Sequence, residues 1–304
     1  MKNFLLTIWN FLFDTKQKLV NSLFSLHDFV YRRLKKPPEV LTNLETIDLI
    51  VKNRCSVSRF GDGEIKLATG KDISFQTAQP LLQQKLQSVL ACDDSRLLVC
   101  IPNVFESLSH FTETDGIYWK NHLSRYRKHW YRFSRKNKIY GNAFISRVYM
   151  CFNEKEKAQD YFNALKKIWN GRDIVLVEGE KSRLGFGNDL FDNAHSIRRI
   201  LGPSAFAFSR YEELLAEARK LEKSALIILA MGPVGSVLPY DLLDDGYQAV
   251  DLGNIDTEYE WFLRGNTKKT PIENKMVYEA GAGQDVGELD DETYQSQIIA
   301  RVTG

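Results

Sequence analysis

No two cysteines in this sequence are spaced C-x-x-C. Cys55, Cys92, Cys100 and Cys151 stand singly, and no histidine lies at zinc-finger spacing from them. Neither a disulfide framework nor a structural zinc site is indicated, and a reducing cytoplasm is the compartment that fits. Long apolar runs are also missing. The N-terminal FLLTIWNFLF is ten residues long and is followed by Asp14 and Lys16. It is too short to span a bilayer and lacks a small-residue cleavage site, so secretion is not expected. Internal repeats and low-complexity tracts are absent. A strong charge excess is absent too: the net charge is +2, and residues 1–36 hold seven Lys or Arg against two Asp. The rest is slightly acidic, which argues against a general polyanion binder and against nucleic acid as partner.

What is present is an ordinary globular composition, 304 residues with 43% hydrophobic, enough for a sizeable core. Leu5, Ile8, Trp9, Leu12, Leu19, Leu23 and Val30 recur at helical spacing, which reads as one long or two short amphipathic helices. YRRLKKPP closes that segment with four cations and two prolines. The sequence therefore divides into a basic amphipathic helical segment and linker, residues 1–38, and a main domain, residues 39–304.

In the main domain, β-rich runs (VSRF, RLLVCIP, DIVLVEG, AFAFS, ALIILAMG, YQAVDLG) alternate with helical stretches such as 80–91 and 210–222. That alternation predicts a doubly wound α/β fold with a largely parallel sheet. Residues 118–138, YWKNHLSRYRKHWYRFSRKNK, interleave cations with aromatics. They read as a helix that buries Trp119, Leu123, Tyr126 and Trp130 and leaves its cations in water, with nucleic-acid binding or a glycan acceptor platform as the alternatives.

Chemistry is expected beyond the carboxyl ends of the strands. RFGDGE has this position, and Asp62 and Glu64, one glycine apart, read either as acids of a turn or as oxygen ligands for Mg²⁺ or Mn²⁺. EGEKSRLGFGNDLFDNA follows the DIVLV run. Its Gly185 and Gly187 permit close backbone approach, Lys181 and Arg183 could meet phosphate, and Asn188 or Asp189 could cap a helix. A structural loop-to-helix junction is the alternative. MGPVGSVLPYDL offers a helix N-terminus with Gly232 before it, and DLGNIDTEYEWF supplies Asp251, Asp256, Glu258 and Glu260, as caps or as a general base.

Taken in order, VSRFGDGE, YGNAFISRVYM, EGEKSRLGFGNDLFDNAHSIRRILGP, GPVGSVLPYDLLDDGYQAVDLGNIDTEYEWF and YQSQIIARV resemble the GT-D-type bacterial glycosyltransferases, which have a Rossmann-like fold and an Asp-Xaa-Glu metal motif. The resemblance covers nearly everything after residue 40. It implies a nucleotide-sugar donor, a UDP-sugar, with Mn²⁺ or Mg²⁺ on the diphosphate held by Asp62 and Glu64. It places Arg59, Phe60, Gly61, Arg147, Lys181, Arg183, Gly187, Asn188, Asp189 and Gly232 around the donor, and makes Glu258, then Asp256, the candidates for the base. Asn254 stands where the pattern has His in G-H-I-D.

The resulting expectation is a metal-dependent transfer of a hexose, glucose or similar, to a hydroxyl of a glycan, glycoprotein or lipid-linked acceptor. The alternatives are a nucleotide-sugar or polyanion-binding module without turnover, and a metal-dependent phosphodiester hydrolase using the same carboxylates. Residues 1–36 are expected to meet the inner face of the plasma membrane peripherally, or to pack on the chain's own domain or across a homo-oligomer interface.

Overall fold

The structure, a computed structural model, describes residue 26, residues 28–281 and residues 286–302. Among them, nine strands form one sheet: β1 Glu39–Val40, β2 Ser56–Arg59, β3 Leu97–Ile101, β4 Ile139–Asn142, β5 Asp173–Gly179, β6 Ser196–Gly202, β7 Leu226–Ala230, β8 Gln248–Asp251 and β9 Ile298–Arg301. Their order across the sheet is β1-β4-β3-β2-β8-β7-β5-β6-β9, and every neighbouring pair is parallel. The fold is thus α/β and doubly wound, and the sheet is more uniformly parallel than the sequence required.

Parallel pairing fits the composition of the central strands. Ile174–Val177 and Leu226–Leu229 are apolar without a break and fully buried, as strands covered by helices on both faces must be. Each face has its own apolar core. One gathers Leu82, Leu86, Trp130 and Leu238; the other gathers Ile47, Phe162, Trp169 and Trp261. The covering helices are α1 Asn43–Asn53, α2 Asp62–Ala68, α3 Pro80–Ala91, α4 Glu113–Phe133, α5 Ala158–Lys166, α6 Tyr211–Ala218, α7 Pro233–Asp241, α8 Ile255–Leu263 and α9 Glu292–Ser296. Helix α1 starts at a capping box, in which Thr42 and Glu45 satisfy each other's backbone N–H groups. Helix α4 buries Trp119, Leu123, Tyr126 and Trp130, as its spacing predicts.

One strand expectation fails. AFAFS is not a strand: Ala207–Arg210 form a 3-10 turn, and the strand lies earlier, at Ser196–Gly202. Its two arginines hide it from an apolar pattern. Arg199 is buried because its guanidinium meets the Glu178 carboxylate on the neighbouring strand and the Leu184 carbonyl.

Most of the N-terminal amphipathic segment, residues 1–25 and 27, lies outside the described residues, and with it the membrane and oligomer expectations. Residues 28–34 are helical, and Asp28 pairs with Arg127 of α4. Among the described residues no helix is long and apolar enough to cross a membrane.

Candidate active site

Strands β2 and β8 lie side by side where the chain's winding reverses direction, the place in such sheets where a crevice opens beyond the carboxyl ends. A cavity of about 710 Å³ opens there, walled by the loops that leave β2, β4, β5, β6, β7 and β8. Arg59, the last residue of β2, ties this point together. Its Nε donates to the Asp251 carbonyl at 2.9 Å, Nη2 to the Asp251 carboxylate at 3.2 Å, and Nη1 to the Ala143 carbonyl at 3.0 Å. Three strand ends are thereby fixed by one planar group. Burial raises the pKa of Asp251, and the Arg59 charge opposes that rise.

Helix α2 begins directly after β2. Gly61 caps it, and the Glu64 side chain returns to the Gly61 N–H at 2.7 Å, which places Glu64 on the cavity wall beside Asp62. The Asp62 carboxylate accepts from Lys66 and from the Tyr118 hydroxyl. Although burial opposes it, those two donors hold Asp62 below the usual carboxylate range. Glu64 moves the other way. Loss of hydration pushes it up to about 7 against the pull of the Gly61 amide, and the charges of Asp62 and Asp251 add to the rise.

Burial and the Asp62 charge both penalise the Glu64 carboxylate, and a divalent cation held between the two acids would relieve that penalty. Among the described residues no group of three His, Cys, Asp or Glu could hold a metal unaided. The remaining ligands would then come from water and substrate phosphate, the usual pattern for Mg²⁺.

Beside Asp251 the wall continues through Asn254, Arg147 and Glu279. Arg147 forms an ion pair with Glu279, and Asn254 Nδ2 donates to the same carboxylate oxygen, Oε1, at 2.8 Å. The other oxygen, Oε2, is buried and finds no hydrogen-bond partner among the described residues. Burial works against its charge, but Arg147 keeps Glu279 below the ordinary carboxylate range.

The cavity thus brings together Arg59, Gly61, Asp62, Glu64, Arg147, Gly232, Asp251, Asn254 and Asp256 of the residues the sequence singled out. The others lie elsewhere, for identifiable reasons. Phe60 is fully buried beneath the site. Glu258 is fully buried off the cavity, and its carboxylate accepts the N–H groups of Tyr149 at 3.0 Å and Met150 at 2.8 Å. It shapes the loop after β4 and has no path to a ligand. Asp256 touches the cavity, but its oxygens are taken by the Gly185 N–H, Asn188 and the buried Lys275.

The expected anion loop is likewise satisfied from within. Arg183 is buried and donates to the carbonyls of Asn274 and Gly287, Asn188 bridges Asp256 and Glu260, and Asp189 pairs with Lys166. Lys181 and Gly187 are not on the cavity wall. This stretch is a loop of turns that joins β5 directly to β6, without the helix that Asn188 or Asp189 was expected to cap. Tyr118, Lys269, Glu279, Phe75, Phe206 and Tyr278 line the cavity without a signal in the sequence, because each arrives from a segment whose local pattern is that of a helix face or a loop.

The model of the family described as "Glycosyltransferase GT-D fold" matches residues 57–280. A "Glycosyltransferase GlyD" of Streptococcus pneumoniae serotype 4 is 40% identical over 273 residues, covering 88% of this chain and 33% of that protein. A "Probable glycosyl transferase Gly" of Streptococcus gordonii is 38% identical over 264 residues, covering 86% and 39%. The chain therefore spans between a third and two fifths of these relatives. Among solved structures, "the highly conserved domain of unknown function 1792", described as having "a distinct glycosyltransferase fold", superposes with a TM-score of 0.86 at 39% identity, over 91% of this chain and all of that one. "A New Glycosyltransferase (DUF1792) from Streptococcus sanguinis" gives 0.84 at 38% identity, over 87% and 99%. This chain belongs to the glycosyltransferase family with the GT-D fold.

Proposed function

We propose that the domain transfers a hexose from a UDP-sugar, with Mn²⁺ or Mg²⁺ on the diphosphate, to a hydroxyl of a glycan, glycoprotein or lipid-linked acceptor. The observation that carries this reading is the meeting of Asp62 and Glu64 with Arg59 and Arg147 around one cavity at the sheet's switch point. Two acids and two fixed cations suit a cation–diphosphate pair better than either ion alone.

Asp62 and Glu64 would hold the metal, which when bound supplies Lewis-acid stabilisation of the departing nucleoside diphosphate. Arg147 meets developing negative charge from a position fixed by Glu279. Arg59 contributes through its remaining N–H directions while holding β8 in place. Glu279, which lines the cavity with its side chain partly exposed while Glu258 is fully buried, takes over from Glu258 as the carboxylate to accept the acceptor hydroxyl's proton, a role needed if configuration is inverted.

A phosphodiester hydrolase working through two metals would want more clustered acids or histidines than the described residues bring together. A binding module without turnover would share the donor site. The test is to incubate the full chain with a panel of nucleotide sugars and a hydroxyl acceptor, with and without Mn²⁺, and to read released nucleoside diphosphate and glycosylated acceptor. Metal-dependent release coupled to acceptor glycosylation is expected; donor binding with no product on any acceptor would leave the binding module.

A further inference from the structure

Residues 118–138 hold eight Lys or Arg and no Asp or Glu. Helix α4 turns its aromatics to the core and leaves Lys120, Lys128, Arg132 and, just past its end, Lys136 exposed. Among the described residues none of these four is in an ion pair, whereas Arg127 is held by Asp28 and Arg135 by Asp93. Lys128 and Arg132 stand one helical turn apart, a spacing at which like charges destabilise a helix. A face that needed only to be solvated would mix the two signs.

A second element adjoins it. The helix at residues 28–34 lies against α4: the Asp28 carboxylate accepts Arg127 Nε at 2.5 Å and Nη2 at 3.3 Å, and the Tyr31 ring lies 5.5 Å from that of Tyr131. Arg127 is buried, so Asp28 is the counter-charge that fixes the helix in place. With Asp28 and Tyr31 turned to α4, the opposite face carries Leu26, Phe29, Val30 and Arg33, at i, i+3, i+4 and i+7. Leu26 is 61% exposed and Phe29 40%. The guanidinium groups of Arg32 and Arg33 lie 5.3 and 4.0 Å from the Phe29 ring centroid, and the exposed Lys35 and Lys36 follow. Apolar side chains and cations are thus interleaved over two adjoining helices.

We propose that this two-helix surface seats the domain on an anionic lipid bilayer. A bilayer surface takes both components together: cations meet its headgroup phosphates, and Leu26, Phe29 and Val30 enter the acyl boundary. Other partners would use only half of it. A nucleic acid would take the cations and leave the apolar face in water. A second copy of this chain, docked about a two-fold axis, would set the basic patch against itself, where like charges repel. Position in the fold gives the seat a use. Tyr118, on the cavity wall, and Lys128 stand ten residues apart on α4, roughly 15 Å along its axis. On the reading that the site glycosylates a hydroxyl, this proximity favours the lipid-linked acceptor; the seat itself does not depend on that reading.

The experiment is co-sedimentation of the full chain with vesicles of phosphatidylcholine alone, and of phosphatidylcholine and phosphatidylglycerol in equal parts. It compares the unaltered chain with Lys128→Glu/Arg132→Glu and Phe29→Ser/Val30→Ser. All four side chains are exposed, so melting points should match. The unaltered chain should pellet with the anionic vesicles only, and less of it as ionic strength rises. Each double variant should lower the partition coefficient by about tenfold or more. If either variant melts lower, Arg33→Glu/Lys36→Glu takes its place with the same expectation. No pelleting with anionic vesicles overturns the proposal, and so does unchanged partitioning in either variant. Without vesicle binding, a labelled oligonucleotide released only by Lys128→Glu/Arg132→Glu would make the face a nucleic-acid site. A dimer in analytical ultracentrifugation that only Phe29→Ser/Val30→Ser dissociates would, again without vesicle binding, make it a contact between copies.

Discussion

Gly253 approaches Arg59 so closely that a Cβ built on it would lie 2.0 Å from Arg59 Nη2. Its backbone is also left-handed, with φ 43°. Any side chain at this position must push the guanidinium off Asp251 and Ala143, and with it the junction between β2, β8 and β4. We predict that Gly253→Ala lowers stability by about 1–3 kcal/mol, the sum of a strained backbone and a disturbed buried ion pair. A urea titration should show a lower midpoint with an unchanged slope, and UDP binding should weaken in parallel. An unchanged midpoint would show that Arg59 can move without consequence.

The proposed metal role gives the second prediction. Asp62→Ala and Glu64→Ala should each reduce Mn²⁺-dependent turnover by about 10²–10³, the scale of losing one stabilising group for developing charge. Both variants should stay folded, since the side chains sit at the cavity wall and not in either core. Turnover that persists in Asp62→Ala with its metal dependence intact would remove this residue from the site. Tyr118→Phe should be far milder, because Lys66 still holds Asp62.

Glu279 and Glu258 make opposite predictions. Glu279→Gln can still accept from Asn254 and Arg147 through its amide oxygen, but it has no basic oxygen to offer the acceptor. Its kcat should fall about 10²–10⁴ with donor affinity little changed. Glu258→Gln retains an acceptor for the Tyr149 and Met150 amides, and its turnover should stay within about twofold of the unaltered chain, since the group does not reach the cavity. Equal losses in kcat for the two would return Glu258 to the base role.

These contrasts show what a linear sequence reveals. Strands β3, β5 and β7 were legible because their apolar runs are unbroken, β2 and β8 because short β-rich runs stand between helical stretches, and Asp62 and Glu64 because a single short segment carries both. Glu258 and Asp256 were legible as acids but not as structural ones. Glu258 accepts the Tyr149 and Met150 N–H groups and Asp256 is taken by the Gly185 N–H and Lys275, partners that arrive from residues 19 or more positions away. Arg183 was misread for the same reason: a cation beside two glycines suggests phosphate, yet its partners are carbonyls of residues 274 and 287. Glu279 went unseen because nothing in VYEAG announces that Arg147 and Asn254 converge on it.

The last prediction concerns His122, which had no partner pattern in the sequence and is only 5% exposed in α4. Its Nε2 accepts the Trp130 indole N–H at 3.0 Å, so that nitrogen carries no proton in the folded protein. Burial pushes its pKa down to about 4; the Asp62 charge resists this and Lys66 adds to it. In the unfolded chain the group titrates near its ordinary value of about 6.5. The unfolded state therefore binds more protons between these values. The contribution to stability is whole above about pH 6.5 and declines as the pH falls toward 4. Between pH 7 and pH 4.5 the loss should be on the order of 2–3 kcal/mol. His122→Gln keeps an acceptor for Trp130 but does not titrate, while every carboxylate in the protein remains. Urea midpoints at the two pH values should then converge in His122→Gln relative to the unaltered chain. If acidification costs both proteins the same stability, His122 is not held neutral by burial.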